Sequence, residues 1–261
     1  MFLTEPNQTQ YDLHFSLFNI PVRVHPLFWL VALLMGFNGG DPKVVLLWVA
    51  AVFISILVHE MGHALVIQWY GWIPSVVLYS FGGLAIHNPN IQSNYGAGRA
   101  KRNQWTQIII SLAGPGAGFL LAGLIVAICW GTGLAQFEVM TFGQTMVPSN
   151  LDLIPGERLL AYPYIAVLIN MMLYINIYWG LVNLLPIWPL DGGKISRELF
   201  QMADRGMAIR NSLILSIVCA VGVAILGFQN DQRFIAIFFA FMAIQNYQDI
   251  SGPNRSGGNP W

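Results

Sequence analysis

Charge is what this sequence lacks. Of 261 residues, 9% are Asp, Glu, Lys or Arg, whereas soluble domains carry about a quarter. Hydrophobic residues make up 56%, and the mean hydropathy is +0.58. That balance excludes an ordinary soluble domain and implies an integral membrane protein. The few charges cancel, twelve basic against twelve acidic. With no basic excess, nothing points to nucleic acid as a partner. Cysteine is scarce as well. Cys129 and Cys219 each sit in an apolar run, which suits a buried thiol better than a disulfide or a metal ligand. The opening MFLTEPNQTQYDLHFSLF has no basic stretch ahead of an apolar core, so no cleaved signal peptide is expected. No internal repeat is present.

The stretch that stands out against this background is FISILVHEMGHALVIQWYG, residues 53–71. On a helix His59 and His63 are four apart and share a face. Two imidazoles so placed can share one zinc ion, with Glu60 beside it as a general base. A carboxylate within a membrane span costs roughly 2.5–3.5 kcal/mol on insertion scales, so it is not filler. The plain alternative is a pair of packing histidines with a glutamate partner.

The chain reads as an all-α polytopic membrane protein with about six transmembrane helices. The expected spans are 27–37, 43–70, 105–130, 162–185, 211–228 and 234–247. The expected divisions are an N-terminal segment 1–26, a six-span domain 27–249 and a flexible tail 250–261. Residues 15–26, with two prolines, suggest an extended lead-in. IPSVVLYSFGGLAIHNPN (73–90) is too short for a helical span and reads as a β-hairpin or re-entrant segment. Such backbone is tolerated at membrane depth only against protein or a water-filled cavity. SLAGPGAGF in the third span supplies small residues for close helix approach. With six spans, the N-terminal side carries nine basic residues: Arg23, Arg99, Lys101, Arg102, Lys194, Arg197, Arg205, Arg210 and Arg255. The other side carries three, Lys43, Arg158 and Arg233, which places both termini in the cytoplasm. Trp69, Trp72, Trp105 and Trp188 then fall near the same interface.

This topology brings a second motif to the side where the zinc helix ends. The fourth span exits into NLLPIWPLDGGK, and a catalytic zinc takes three protein ligands and one open position. Asp191 is the best candidate for the third ligand, and Gly192 and Gly193 allow a tight turn beside it. Asp-Gly-Gly alone also marks an ordinary turn. Zn²⁺ with Asp191 and Glu60 sums to neutrality, as a low-dielectric site requires. Zinc lowers the pKa of a bound water to near 7, Glu60 can take its proton, and the chemistry implied is peptide-bond hydrolysis. Asn183 is a candidate donor to a developing oxyanion, with an interhelical hydrogen bond as the alternative. For Asn170 and Asn176 the interhelical role is favoured. His14, His25 and His87 have no partner at ligand spacing and read as interfacial or loop residues.

HEMGH within a span, SFGG, SLAGPGAGF and NLLPIWPLDGG together resemble the motifs of the site-2 proteases, the intramembrane zinc metalloproteases. The resemblance runs from about Ile20 to the sixth span. It implies one zinc ion per chain, held by His59, His63 and Asp191, with Glu60 and Asn183 as catalytic residues. It also implies that Phe81, Gly82 and Gly83 belong to a membrane-associated hairpin that binds substrate. The implied partners are the lipid bilayer and a membrane protein with a transmembrane segment, cut in regulated proteolysis within a bacterial cell membrane. Two departures stand out. The family's A-G-P-x-x-N element has Gly118 where Asn is usual, and no PDZ or CBS domain is present. Rival readings are an inactive scaffold that binds membrane helices and a metal transporter using His59 and His63 as a transit site.

Overall fold

The computed structural model describes residues 6–37, 41–80, 82–92, 103–137, 153–155 and 162–251. The chain divides into two compact units, one of Met1–Ala100 with Ala113–Leu181 and one of Lys101–Leu112 with Val182–Trp261.

The first unit begins with strand β1 (Leu13–Leu17) turning back into β2 (Ile20–Val24). Phe18 and Asn19 form the two-residue turn with φ of 51° and 62°, the double positive φ of a type I′ hairpin. Strand β3 (Trp72–Tyr79) lies parallel to β2, pairing Val22 with Val76. Strand β4 (Gly82–Gln92) lies antiparallel to β3 and closes the order β1-β2-β3-β4. A parallel pairing needs a long crossover. Here helices α1 (Pro26–Gly36) and α2 (Pro42–Trp69) supply it. Ile20, Val22, Val24, Val76 and Leu78 of the sheet pack on Phe28, Ala51, Ile56, Met61 and Ala64 of those helices.

The expectation of an all-helical protein is corrected by this sheet. The lead-in and the hairpin, read separately in the sequence, are neighbouring parts of one four-stranded sheet. The missing link is the parallel pairing of β2 with β3, about fifty residues apart in sequence. Local periodicity carries no trace of such a contact. The hairpin itself forms where expected, with Val76 opposite Ala85. Short strands β5 (Ala135–Phe137) and β6 (Leu153–Pro155) also pair. Phe81, the polar loop around Arg99–Arg102 and the tail from 252 onward lie outside the described residues.

Helix α3 (Gln104–Gly131) continues through Pro115. Helix α4 (Pro163–Asn183) contains a π-helical turn at Ile175–Trp179. Within the second unit α5 (Asp191–Ala203), α6 (Ala208–Gln229) and α7 (Arg233–Ser251) follow. Ala220 of α6 packs with Phe239, Met242 and Ala243 of α7 around Ile187.

Among the described residues, four helices are long and apolar enough to cross a membrane: α2, α3, α4 and α6. Helix α1 has 11 residues, about 16 Å, well short of a hydrocarbon core of about 30 Å. Of the four tryptophans expected at an interface, Trp69 and Trp105 are exposed, whereas Trp72 is fully buried in the sheet. His25 caps α1, its Nδ1 accepting the Leu27 N–H at 3.1 Å. Asn176 takes the interhelical role expected of it, donating from α4 to Ser55 Oγ on α2 at 2.8 Å. Asn170 is exposed.

The residues before β1 are tied to the sheet by charge. Arg23 on β2 donates to Asp12 Oδ2 at 2.9 Å and to the Pro6 carbonyl at 3.0 Å. Burial pushes the Asp12 carboxyl up, but hydrogen bonds from Thr9 and Arg23 outweigh it and hold the pKa at about 2, below the ordinary 3.8. A depressed carboxyl stabilises in full above its unfolded value and stops doing so as pH falls through the folded one. Residues 6–12 should therefore stay docked from pH 7 down to about 4 and come free towards pH 2. Asp12→Asn should free them at pH 7. Amide hydrogen exchange of residues 6–12 checks both, and equal protection in the variant and the wild type would dismiss the tether.

Candidate functional site

Helix α2 presents the histidine pair because two glycines let a neighbouring helix come close. A methyl on Gly62 would meet the Ala113 carbonyl and stand 2.7 Å from Ala117 Cβ. The middle glycine of HEMGH thus lets α2 and α3 touch along their backbones. Across that contact lies Gly114, where a methyl would stand 2.8 Å from His59 Nε2 and overlap His63 Nε2. The bare Cα of Gly114 leaves the space in which both ring nitrogens end.

His59, Glu60 and His63 are 5%, 6% and 5% exposed. The two Nε2 atoms stand 3.2 Å apart, with the rings at 82°. Two nitrogens bound to one tetrahedral zinc at about 2.0–2.1 Å would be roughly 3.3 Å apart. The pair fits the ion. Glu60 lies against the sheet. A side chain at Gly83 would stand 2.7 Å from Glu60 Cδ and 2.9 Å from its Oε1. Gly83 lies on β4, which among the described residues pairs with β3 alone. Gly82 is also on β4, with the Trp179 ring 3.9 Å from where its Cβ would stand.

In the second unit, Asp191 is the first residue of α5 and is buried. An acidic residue there is favoured by the helix dipole. Gly192 and Gly193 are required by close approach. A Cβ on Gly192 would strike the Leu184 and Leu185 carbonyls, and one on Gly193 the backbone at Ile187 and Trp188. Lys194 Nζ lies 3.0 Å from Asp191 Oδ1. Asn183, at the end of α4, is buried. His59, His63 and Asp191 are each buried, and each is of a residue type that ligates zinc. Two imidazoles and one carboxylate leave a zinc with an open position.

Sequence reasoning missed the residues that hold Trp188, three positions before Asp191. Its N–H donates to Ser216 Oγ on α6 at 2.9 Å, and its carbonyl accepts from Asn246 Nδ2 on α7 at 2.8 Å. The Arg197 guanidinium lies 3.7 Å above its ring, which explains why Trp188 is not a free interfacial anchor. Burial pushes Arg197 below its ordinary pKa, while Asp249 and Glu198 push it up. One signal was available. Ser216 stands within an apolar run of α6, and a polar residue so placed in a membrane protein usually has a specific partner. His14 bonds within its own segment, its ring against the Asp12 carbonyl. The side chain of His87 lies outside the described residues.

Gly114→Ala tests whether the space beside the histidines is a metal cradle. Zinc content, measured by atomic emission on purified protein, should fall at least about tenfold while the helical circular dichroism is kept. Normal zinc content would show that the cradle is not needed.

Solved and curated proteins resemble this chain. The structure of the site-2 protease from Methanocaldococcus jannaschii matches with a TM-score of 0.56 at 19% identity, covering 92% of this chain and 95% of that one. At that identity the likeness concerns the fold. Stage IV sporulation protein FB of Bacillus subtilis is 27% identical over 244 residues, 88% of this chain and 66% of that protein. Zinc metalloprotease MJ0392 of Methanocaldococcus jannaschii is 27% identical over 190 residues, 71% of this chain and 44% of that protein. The chain thus spans from 42% to 66% of the length of the curated relatives it matches first. The profile of Peptidase family M50 matches residues 47–228. That stretch runs from the first turns of α2 to the last turn of α6 and takes in both histidines, Glu60 and the Asp-Gly-Gly turn: the chain belongs to Peptidase family M50.

Proposed function

We propose that this protein is a zinc-dependent intramembrane endopeptidase that hydrolyses peptide bonds in or near the membrane-spanning segments of other membrane proteins. The observation that carries the reading is the place of Glu60. It is a buried carboxylate, next in sequence to a metal-binding histidine, pressed against the bare backbone of a sheet-edge strand. His59, His63 and Asp191 would hold the zinc, which when bound polarises a water to a pKa near 7. Glu60 takes the proton from that water and gives it to the leaving nitrogen. Asn183 donates to the substrate carbonyl oxygen as charge develops there.

Substrate geometry gives β4 its part. A helical substrate hides its scissile carbonyl in internal hydrogen bonds, so it has to unwind, and unwound backbone in a membrane needs new partners. An edge strand supplies them by strand addition. Gly83 puts that edge within contact of Glu60. The finer topology belongs to the same proposal. Counting α1 and α7 gives six membrane segments, β3 and β4 form a hairpin that re-enters the membrane, and the basic residues put both termini on the cytoplasmic side of a bacterial membrane.

Two substitutions separate base from ligand. Glu60→Gln should keep zinc and lose at least about 10²-fold in cleavage of a membrane-embedded substrate, whereas Asp191→Ala should lose both zinc and cleavage. Near-normal turnover by Glu60→Gln would sink the mechanism. Full zinc occupancy in Asp191→Ala would assign the third ligand elsewhere.

Proline at Leu84, Ala85 or Ile86 removes one backbone donor from β4 at a time without touching Glu60. At least one of these variants should keep zinc and its melting temperature yet cleave at least about tenfold more slowly. Wild-type cleavage by all three would leave β4 with a purely structural part.

A further inference from the structure

One turn from the histidine pair, the first unit contains a second polar site. Asn176 is 3% exposed, and it is carried on the π-helical turn of α4. Such turns add a residue to the helix and re-aim the side chains on it, often at functional sites. Its Nδ2 donates twice, to Ser55 Oγ and to the Met172 carbonyl, both at 2.8 Å. A carbonyl only accepts, so the atom facing Met172 has to be the nitrogen, and the amide cannot be turned over. The oxygen Oδ1 is thereby fixed on the other side, buried and without a donor among the described residues. It faces α3 at Gly118, where a Cβ would stand 3.3 Å away. An alanine or larger residue at 118 would crowd that oxygen. Gly118 keeps the space in front of it open.

The surroundings tie this oxygen to the reaction centre. Ser55 precedes His59 by four residues on α2, and Gly118 follows Gly114 by four on α3. Each step is one helical turn along the same face, about 6 Å. The helix pair that ends the two Nε2 atoms at Gly114 ends Asn176 Oδ1 at Gly118. A buried acceptor left without a donor costs free energy, the more so in an apolar medium, and Leu or Met would fill the same place without that cost.

We propose that Asn176 Oδ1 and the open face of Gly118 form a binding site for one small hydrogen-bond donor, a water molecule or a backbone N–H of the unwound substrate. The site is a positioning element for hydrolysis and rests on the hydrolase reading above. As water it stages a solvent molecule beside the histidines in an otherwise apolar interior. As a partner for substrate it holds the chain one turn beyond the scissile bond.

Gly118→Ser and Gly118→Ala test the site together. The serine hydroxyl donates to Oδ1 from within the protein, and alanine only fills the space. Both replace a helix glycine and place a Cβ before Oδ1, so a higher melting temperature for serine than for alanine reports satisfaction of Oδ1. The expected result is a higher melting temperature for serine than for alanine, unchanged zinc content in both, and cleavage at least roughly tenfold slower in both. The two donors are then told apart. Water requires a density peak within about 3.2 Å of Oδ1 in substrate-free wild-type crystals, lost in Gly118→Ser, and a fall in kcat at constant KM. A substrate N–H gives no such peak and a raised KM. Replacing that substrate amide by an ester then weakens the wild type and leaves Gly118→Ser as it was. Wild-type cleavage by both variants overturns the proposal, as does finding neither the peak nor the change in KM. Should the serine variant fail to fold, the alanine variant decides on cleavage and density alone. If wild type and Glu60→Gln are equally inactive, the hydrolase reading has failed, and the density in front of Oδ1 still shows whether a donor binds there.

Discussion

Helix α2 and helix α3 touch along backbone, and most of what the first unit does follows from that contact. Gly62 meets Ala113 and Ala117, and Gly114 meets the two imidazoles. In an apolar medium, water gives helices no hydrophobic reason to associate, and small residues that allow close packing take over. The same contact leaves room for a metal-sized object between rings that would otherwise be blocked by a methyl. Association and site formation therefore have one cause. The sheet meets the same helix at Glu60, where the bare backbone of Gly83 on β4 lets the carboxylate lie close.

How much of this was legible in the sequence varied with the range of the interaction. The histidines and Glu60 follow from short spacing on one helix, and the Asp-Gly-Gly turn from residue types that a tight approach demands. A family M50 member with four helices of membrane-spanning length is an integral membrane protein, and the low charge content had already said so. The parallel pairing of β2 with β3 was not legible, because nothing local in Ile20–Val24 announces a partner beyond two helices. The π-helical turn was equally hidden. INIYW has no proline or glycine, so no local residue type announces the extra residue.

Polar side chains in the interior are few, and several of them tie one segment to another. Ser55 receives Asn176, Ser216 receives the Trp188 N–H, and Asn246 gives to the Trp188 carbonyl. A membrane interior penalises an idle polar group more than water does, so each one marks a contact that fixes a segment. Reading the polar exceptions in apolar runs, as was done for Asn176, would have found Ser216 as well, whereas Asn246 lies in the polar stretch IQNYQD.

The hold on Trp188 has a consequence in time. Its two backbone groups are gripped by α6 and α7, and the latter contributes Asn246, more than fifty residues after Asp191. During synthesis the Asp-Gly-Gly turn leaves the ribosome well before the helix that secures it. At roughly 5–20 residues per second, the delay lasts several seconds. In that interval Trp188, three residues before Asp191, has yet to meet these two backbone partners. The segment that leads into Asp191 is thus held in place only after α6 and α7 have been made.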